Sequence, residues 1–131
     1  MTEIEKTEKI TINLGPVDLG QIDLLVQEGF YSNRTDFIRT AIRIQLTTHA
    51  EVVKRTVARK TLVLGLQQYT RRDLEAVRAA GEKLQINVLG LASIADDVTP
   101  ELALATIDSV VVLGSFRASP EVKAALVRRI T

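Results

Sequence analysis

Cysteine and tryptophan are absent from this chain of 131 residues, and histidine occurs once, at His49. Without cysteine there is no disulfide framework, no thiolate nucleophile and no thiolate metal site, a composition compatible with a reducing cytoplasm. One histidine with no cysteine beside it makes a poor metal site. Aromatic residues are only 4% of the chain, so any core must be built from leucine, isoleucine, valine and alanine. No apolar run approaches the ~20 residues that a membrane helix needs. The first residues, MTEIEKTEK, are polar and of mixed charge, unlike a signal peptide, and residues 1–8 are expected to form a frayed arm. A Walker-type phosphate loop and a dinucleotide fingerprint are also missing. Ser115 and Ser119 have no base to activate them, and Asp96-Asp97 reads as a turn. The expectation is a protein that is not an enzyme and that needs no cofactor or metal.

What the chain does contain is globular in character, with 46% apolar and 25% charged residues, enough for one ordinary domain or two small ones. The overall charge of +1 hides a local excess. Between Phe30 and Lys60 seven basic residues (Arg34, Arg39, Arg43, Lys54, Arg55, Arg59 and Lys60) face only two acidic ones, Asp36 and Glu51. Such an excess suits a polyanionic partner, although helix surfaces are often charged for solubility alone.

The organising stretch is 9–46. Lys9-Ile10-Thr11-Ile12-Asn13-Leu14 alternates strictly, which predicts a strand with Ile10, Ile12 and Leu14 on one face and Lys9, Thr11 and Asn13 on the other. No neighbouring segment reads as a strand, and a lone strand leaves both its ladder groups and its apolar face unsatisfied. A second copy of the same strand would repair both, as a two-stranded ribbon. The polar face then offers a cation, a hydroxyl and an amide, groups able to read base edges in a major groove wide enough to admit a ribbon. Pro16 suits the first position of a helix carrying Val17, Leu19, Ile22, Leu25 and Val26 as its stripe, and Gly29 suits a left-handed end. Phe30 and Tyr31 are expected to pack the turn into the core. Ser32 or Asn33 can cap a second helix, and Asn33 with Asp36 has capping-box-like spacing. Free amides at that helix start, next to Arg34 and Thr35, also suit a phosphate. Phe37, Ile38, Ala41, Ile42, Ile44 and Leu46 make an apolar face wider than a small monomer can cover. The helix either continues through 47–60 or breaks near Thr47-Thr48.

The K-I-T-I-N-L strand, the proline-started helix and the segment G-F-Y-S-N-R-T-D-F-I-R-T-A-I together resemble the ribbon-helix-helix proteins of the CopG/Arc/MetJ family. The resemblance covers about a third of the chain. It implies an intertwined dimer whose antiparallel ribbon enters the DNA major groove, with Lys9, Thr11 and Asn13 as base contacts and Asn33, Arg34 and Thr35 as phosphate contacts. A single lysine on the reading face implies modest affinity per dimer and reliance on several dimers side by side. The lone histidine departs from the histidine and cysteine cluster of the nickel-sensing members.

The second half repeats a phrase: Leu62-Val63-Leu64-Gly65, Asn87-Val88-Leu89-Gly90 and Val111-Val112-Leu113-Gly114, with the glycines 25 and then 24 residues apart. Each phrase precedes a loop and a helix start at Thr70, Thr99-Pro100 or Ser119-Pro120. The expected fold class is therefore an α+β ribbon-helix-helix over 9–46, a helical connector over 47–60, and over 61–131 a small α/β domain of three strand–loop–helix repeats, leucine-rich-repeat-like. Three repeats have few means of closing their ends, so at least one sheet edge is expected to pair with another subunit, which makes 61–131 an oligomerisation domain.

The leading functional expectation is a sequence-specific DNA-binding transcriptional regulator, a cytoplasmic and nucleoid-associated repressor with double-stranded DNA and itself as partners and no membrane. Other classes remain open: an antitoxin whose second half binds a toxin protein, a filament-forming DNA organiser, or a small-molecule sensor.

Overall fold

The computed structural model describes residues 7–131, so most of the arm expected over 1–8 lies outside the described residues. The chain divides into two compact units, 7–56 and 57–131.

In the first unit, residues 7–15 carry no regular secondary structure and lie in water. The strand expected over 9–14 is not formed among the described residues. Helix α1 (Pro16–Gln27) starts on its proline and has Gly15 as N-cap. It ends as the sequence predicts, on Gly29 at φ 87°, whose amide donates to the Val26 carbonyl at 3.1 Å while that of Phe30 donates to Leu25 at 2.9 Å. This crossed pair satisfies carbonyls that the helix would otherwise leave orphaned. Helix α2 (Arg34–Thr48) is capped by Asn33, whose side chain accepts from the Asp36 amide at 2.8 Å. The Asp36 carboxylate reaches back to the Ser32 amide at 2.9 Å, one residue further out than in a standard capping box. Tyr31 sits edge-on to Phe37, ring centres 5.0 Å apart. Phe30 does not join it. The ring contact at the turn belongs to Tyr31, and Phe30 is left 70% exposed.

Of the two options for 47–60, the helix breaks. Thr47 and Thr48 donate their hydroxyls to the carbonyls of Arg43 and Ile44, a back-bonding that bends helices. His49 forms the C-cap, and α3 (Ala50–Arg59) follows. The first unit has one buried apolar side chain among the described residues, Ile22 on α1, while Ile42, Ile44 and Leu46 on α2 stay exposed. Ordering the backbone costs about 1–2 kcal/mol per residue, and each large apolar side chain left in water forgoes about 1.5–3 kcal/mol. Taken alone, this unit lacks the burial to offset its own ordering.

The second unit has its own core. Strands β1 (Val63–Tyr69), β2 (Leu84–Ile94) and β3 (Ile107–Arg117) form a parallel sheet in the order β1-β2-β3. Between and after them run α4 (Arg71–Ala79), α5 (Pro100–Thr106) and α6 (Pro120–Ala125), with α4 against α5 and α5 against α6. Their caps are the ones expected: Thr70, Thr99 and Ser119 each accept from the amide three residues on. Leu74, Ile86, Val88, Ala92, Leu102, Val110, Val122 and Leu126 fill the layer between helices and sheet. On the opposite face of the sheet Leu64 and Leu113 are exposed, and Leu89, between them in register, is half-buried.

The recurring glycines coincide in space. Gly65, Gly90 and Gly114 are register partners across the three strands, all at positive φ between 124° and 139°. A Cβ on Gly90 would lie 2.2 Å from the Gly65 carbonyl oxygen, and one on Gly114 would lie 2.1 Å from that of Gly90. The repeat thus encodes a row of positive-φ glycines across three strands, and at Gly90 and Gly114 backbone occupies the space of the missing side chain. Gly90→Ala and Gly114→Ala incur both a backbone clash and the conformational penalty, whereas Gly65→Ala incurs the penalty alone, on the order of 1–3 kcal/mol. Thermal melts should therefore rank Gly65→Ala as the mildest of the three substitutions.

Candidate nucleic-acid interface

Lys9, Thr11 and Asn13 lie in the stretch before α1, all exposed and alternating with Ile10, Ile12 and Leu14, which are exposed as well. Ile10 is 76% exposed, so the apolar side of the stretch is as wet as the polar side. Asn33, Arg34 and Thr35 are brought together at the start of α2 and are exposed. The Asn33 carbonyl oxygen is committed to the cap, leaving its amide N–H groups available. The first amides of α2, with the positive end of the helix dipole, complete a surface suited to an anion.

Arg34 is already engaged. Its guanidinium donates through Nε and Nη2 to the two carboxylate oxygens of Asp23 on α1, both at 2.8 Å. This bidentate pair spans the helix–turn–helix and leaves Nη1 and one Nη2 proton for another acceptor. Asp23 escaped sequence reasoning. The signal was its place in the second half of α1, from which a short turn returns the chain beside it at the start of α2. Hydrogen bonding from Arg34 holds the Asp23 carboxyl below its ordinary range, and the same bond raises the guanidinium.

Among the described residues no group of three or more histidine, cysteine, aspartate and glutamate side chains could hold a metal. No helix of these residues is long and apolar enough to cross a membrane.

The sequence model of the Ribbon-Helix-Helix transcriptional regulator family matches residues 5–123. The chain belongs to that family. Members of this ribbon-helix-helix class bind DNA and dimerise, and the match includes the stretch before α1 together with α1 and α2. The match also runs through the sheet unit, so that the unit is part of the family's common architecture. An uncharacterized protein of Methanocaldococcus jannaschii, MJ1679, is 42% identical over 40 residues, which are 30% of this chain and 41% of that protein. The chain therefore spans well under half of the curated relative it matches. No solved structure matches the chain.

The ion pair has a pH signature. With its carboxyl depressed in the folded state, Asp23 contributes stability above the ordinary carboxylate pKa of about 3.9 and loses it as pH falls through the lower folded value. Both partners are exposed, so the contribution is small. NMR titration should place the Asp23 midpoint below the ordinary range in the native chain and return it toward that range in Arg34→Ala.

Proposed function

We propose that the protein is a sequence-specific transcriptional repressor that binds double-stranded DNA in the cytoplasm as an intertwined dimer, associated there with the nucleoid. Residues 9–14 of two copies pair as an antiparallel ribbon in the major groove. Lys9, Thr11 and Asn13 of each copy face the bases, while Asn33, the free N–H groups of Arg34, Thr35 and the first amides of α2 hold phosphates and set the register. No catalysis or cofactor enters this reading. The sheet unit, a short leucine-rich-repeat-like array, joins dimers so that adjacent half-sites fill cooperatively.

The observation that carries it is the exposure of Ile10, Ile12 and Leu14, alternating with polar residues along a stretch without regular secondary structure, in a unit whose one buried apolar side chain among the described residues is Ile22. Ribbon formation covers those three side chains and satisfies the ladder groups in one step. The exposed face of α2, with Ile42, Ile44 and Leu46, supplies the rest of a shared core. The same pairing turns Lys9, Thr11 and Asn13 outward, because side chains alternate along a strand.

The test separates reading from holding. Asn13→Ala should lower discrimination between operator and random DNA, by about 1–3 kcal/mol for the base it touches. Arg34→Ala should weaken binding to both and shallow the salt dependence by about 0.9 for each phosphate that is no longer neutralised. Fluorescence anisotropy at several salt concentrations reads both quantities. Unchanged operator binding by both variants would sink the assignment.

A further inference from the structure

The sheet of residues 57–131 has two edges, and the chain itself engages one of them. On β3 the tail bridges to Val110 through Ile130, with the Val110 amide donating to the Arg129 carbonyl and the Thr131 amide to that of Val110, both at 2.9 Å. Side-chain Nη1 of Arg129 ties this tail to the carbonyls of Leu104 and Ile107. Further along the same strand Ser115 and Arg117 are engaged as well. On β1 no strand lies on the outer side among the described residues. Its sequence from Val63 to Tyr69 contains no charge and no proline, the usual devices that stop an edge strand from pairing.

Side chains and backbone of β1 both suit a further strand. Leu64 is 67% exposed and Leu66 51%, on the face of the sheet opposite the helices. Val63 lies in the helix-side row with Val88 and Val112, yet it is 43% exposed while Val88 is fully buried. At Gly90 and Gly114 the carbonyl oxygen of the preceding strand stands where a Cβ would be, whereas at Gly65 nothing lies within 4 Å of that place. The outer side of β1 is thus open to the backbone of another strand.

We propose that β1 pairs antiparallel with β1 of a second copy, joining two three-stranded sheets into one. Each copy offers β1 as its open edge while its own chain engages β3, so like meets like and the contact closes about a two-fold axis. The family dimerises, so other copies of this chain are its standing neighbours. The strand is also complementary to itself when centred on Leu66. Val63 then faces Tyr69, Leu64 faces Gln68, Gly65 faces Gln67, and Leu66 faces its own counterpart. Only this centring gives every residue of β1 a partner, and no like charges meet across it. The axis stands perpendicular to the sheet, so both helix layers stay on one side. Val63 then gains cover from Tyr69, a side chain already packed against the core of its own copy. With the ribbon as the other two-fold contact, this pairing links dimer to dimer. The inference rests on the reading that the sheet unit joins dimers, and it names the interface.

The full chain has no native cysteine, so a single introduced one reports cleanly. In this register the two copies of Leu66 lie about 5 Å apart, within reach of a disulfide, whereas the two copies of Leu64 are roughly 14 Å apart, out of reach. Under mild oxidation, full-length Leu66→Cys should form a covalent pair on a non-reducing gel, as should Leu64→Cys/Gln68→Cys, while Leu64→Cys alone stays uncrosslinked. Light scattering should give the wild type a mass above that of a dimer. Leu66→Lys, with helix content retained by circular dichroism, should fall to a dimer, because two lysines then face each other at the axis, and mixing it with Leu66→Glu should restore the larger mass. Mass above a dimer with no cross-link from Leu66→Cys, or with an equal one from Leu64→Cys, would overturn this interface and leave the joining role standing. The Leu66→Cys cross-link in a wild type of dimer mass would uphold the interface and overturn the joining role. Dimer mass with no cross-link would overturn both.

Discussion

An extended segment exposes peptide groups that only another extended segment, or water, can satisfy. This constraint acts on the chain twice. Residues 9–14 alternate apolar and polar side chains, carry no regular secondary structure and are exposed. The sheet of 57–131 ends on β1 at one edge, with no strand on its outer side among the described residues, and on β3 at the other, where the chain's own tail bridges to Val110. Between these places the local chemistry is complete. Helices α1, α2, α4, α5 and α6 have defined ends, four of them with side-chain caps, and no buried polar side chain among the described residues lacks a hydrogen-bond partner.

The two units solve burial differently. The sheet unit places a row of helices on one face and gains a continuous aliphatic core, despite having almost no aromatic residues to place in it. The unit of 7–56 spreads its apolar residues over an extended stretch and two faces of a helical hairpin, and it closes almost none of them. Ribbon-helix-helix membership accounts for that layout, since proteins of the family dimerise. The Asp23–Arg34 pair adds rigidity in the hairpin without burial. It fixes the start of α2 relative to α1, where the candidate phosphate contacts Asn33, Arg34 and Thr35 are gathered. It also leaves Arg34 only part of its donor set for any further acceptor.

Much of this was legible in the sequence because the signals are local. A proline at the first helical position, a glycine two residues past the last and a serine, threonine or asparagine cap act within one turn, and Pro16, Gly29, Asn33, Thr99 and Ser119 stand where they predict. Alternation marked residues 9–14 and grouped Lys9, Thr11 and Asn13 without any contact being known. The recurring Val-Leu-Gly or Leu-Gly phrase announced three equivalent strands. What escaped was whatever depends on residues distant in the chain. Asp23 meets Arg34 across a turn whose angle no single residue encodes. Phe30 and Tyr31 are adjacent and chemically alike, yet only Tyr31 reaches Phe37.

The glycines divide the two kinds of knowledge most clearly. By itself the sequence determined that Gly65, Gly90 and Gly114 recur with one period and that strands and capped helices alternate around them. Only the tertiary structure decided that the three glycines stand in one row, because register is a relation between strands and not a property of any of them. Only there is it visible that backbone oxygen fills two of the three places where a side chain would be. The third place, at Gly65, is empty for a reason that lies in packing and not in composition: β1 is the end of the sheet, and no strand among the described residues precedes it to supply a carbonyl oxygen.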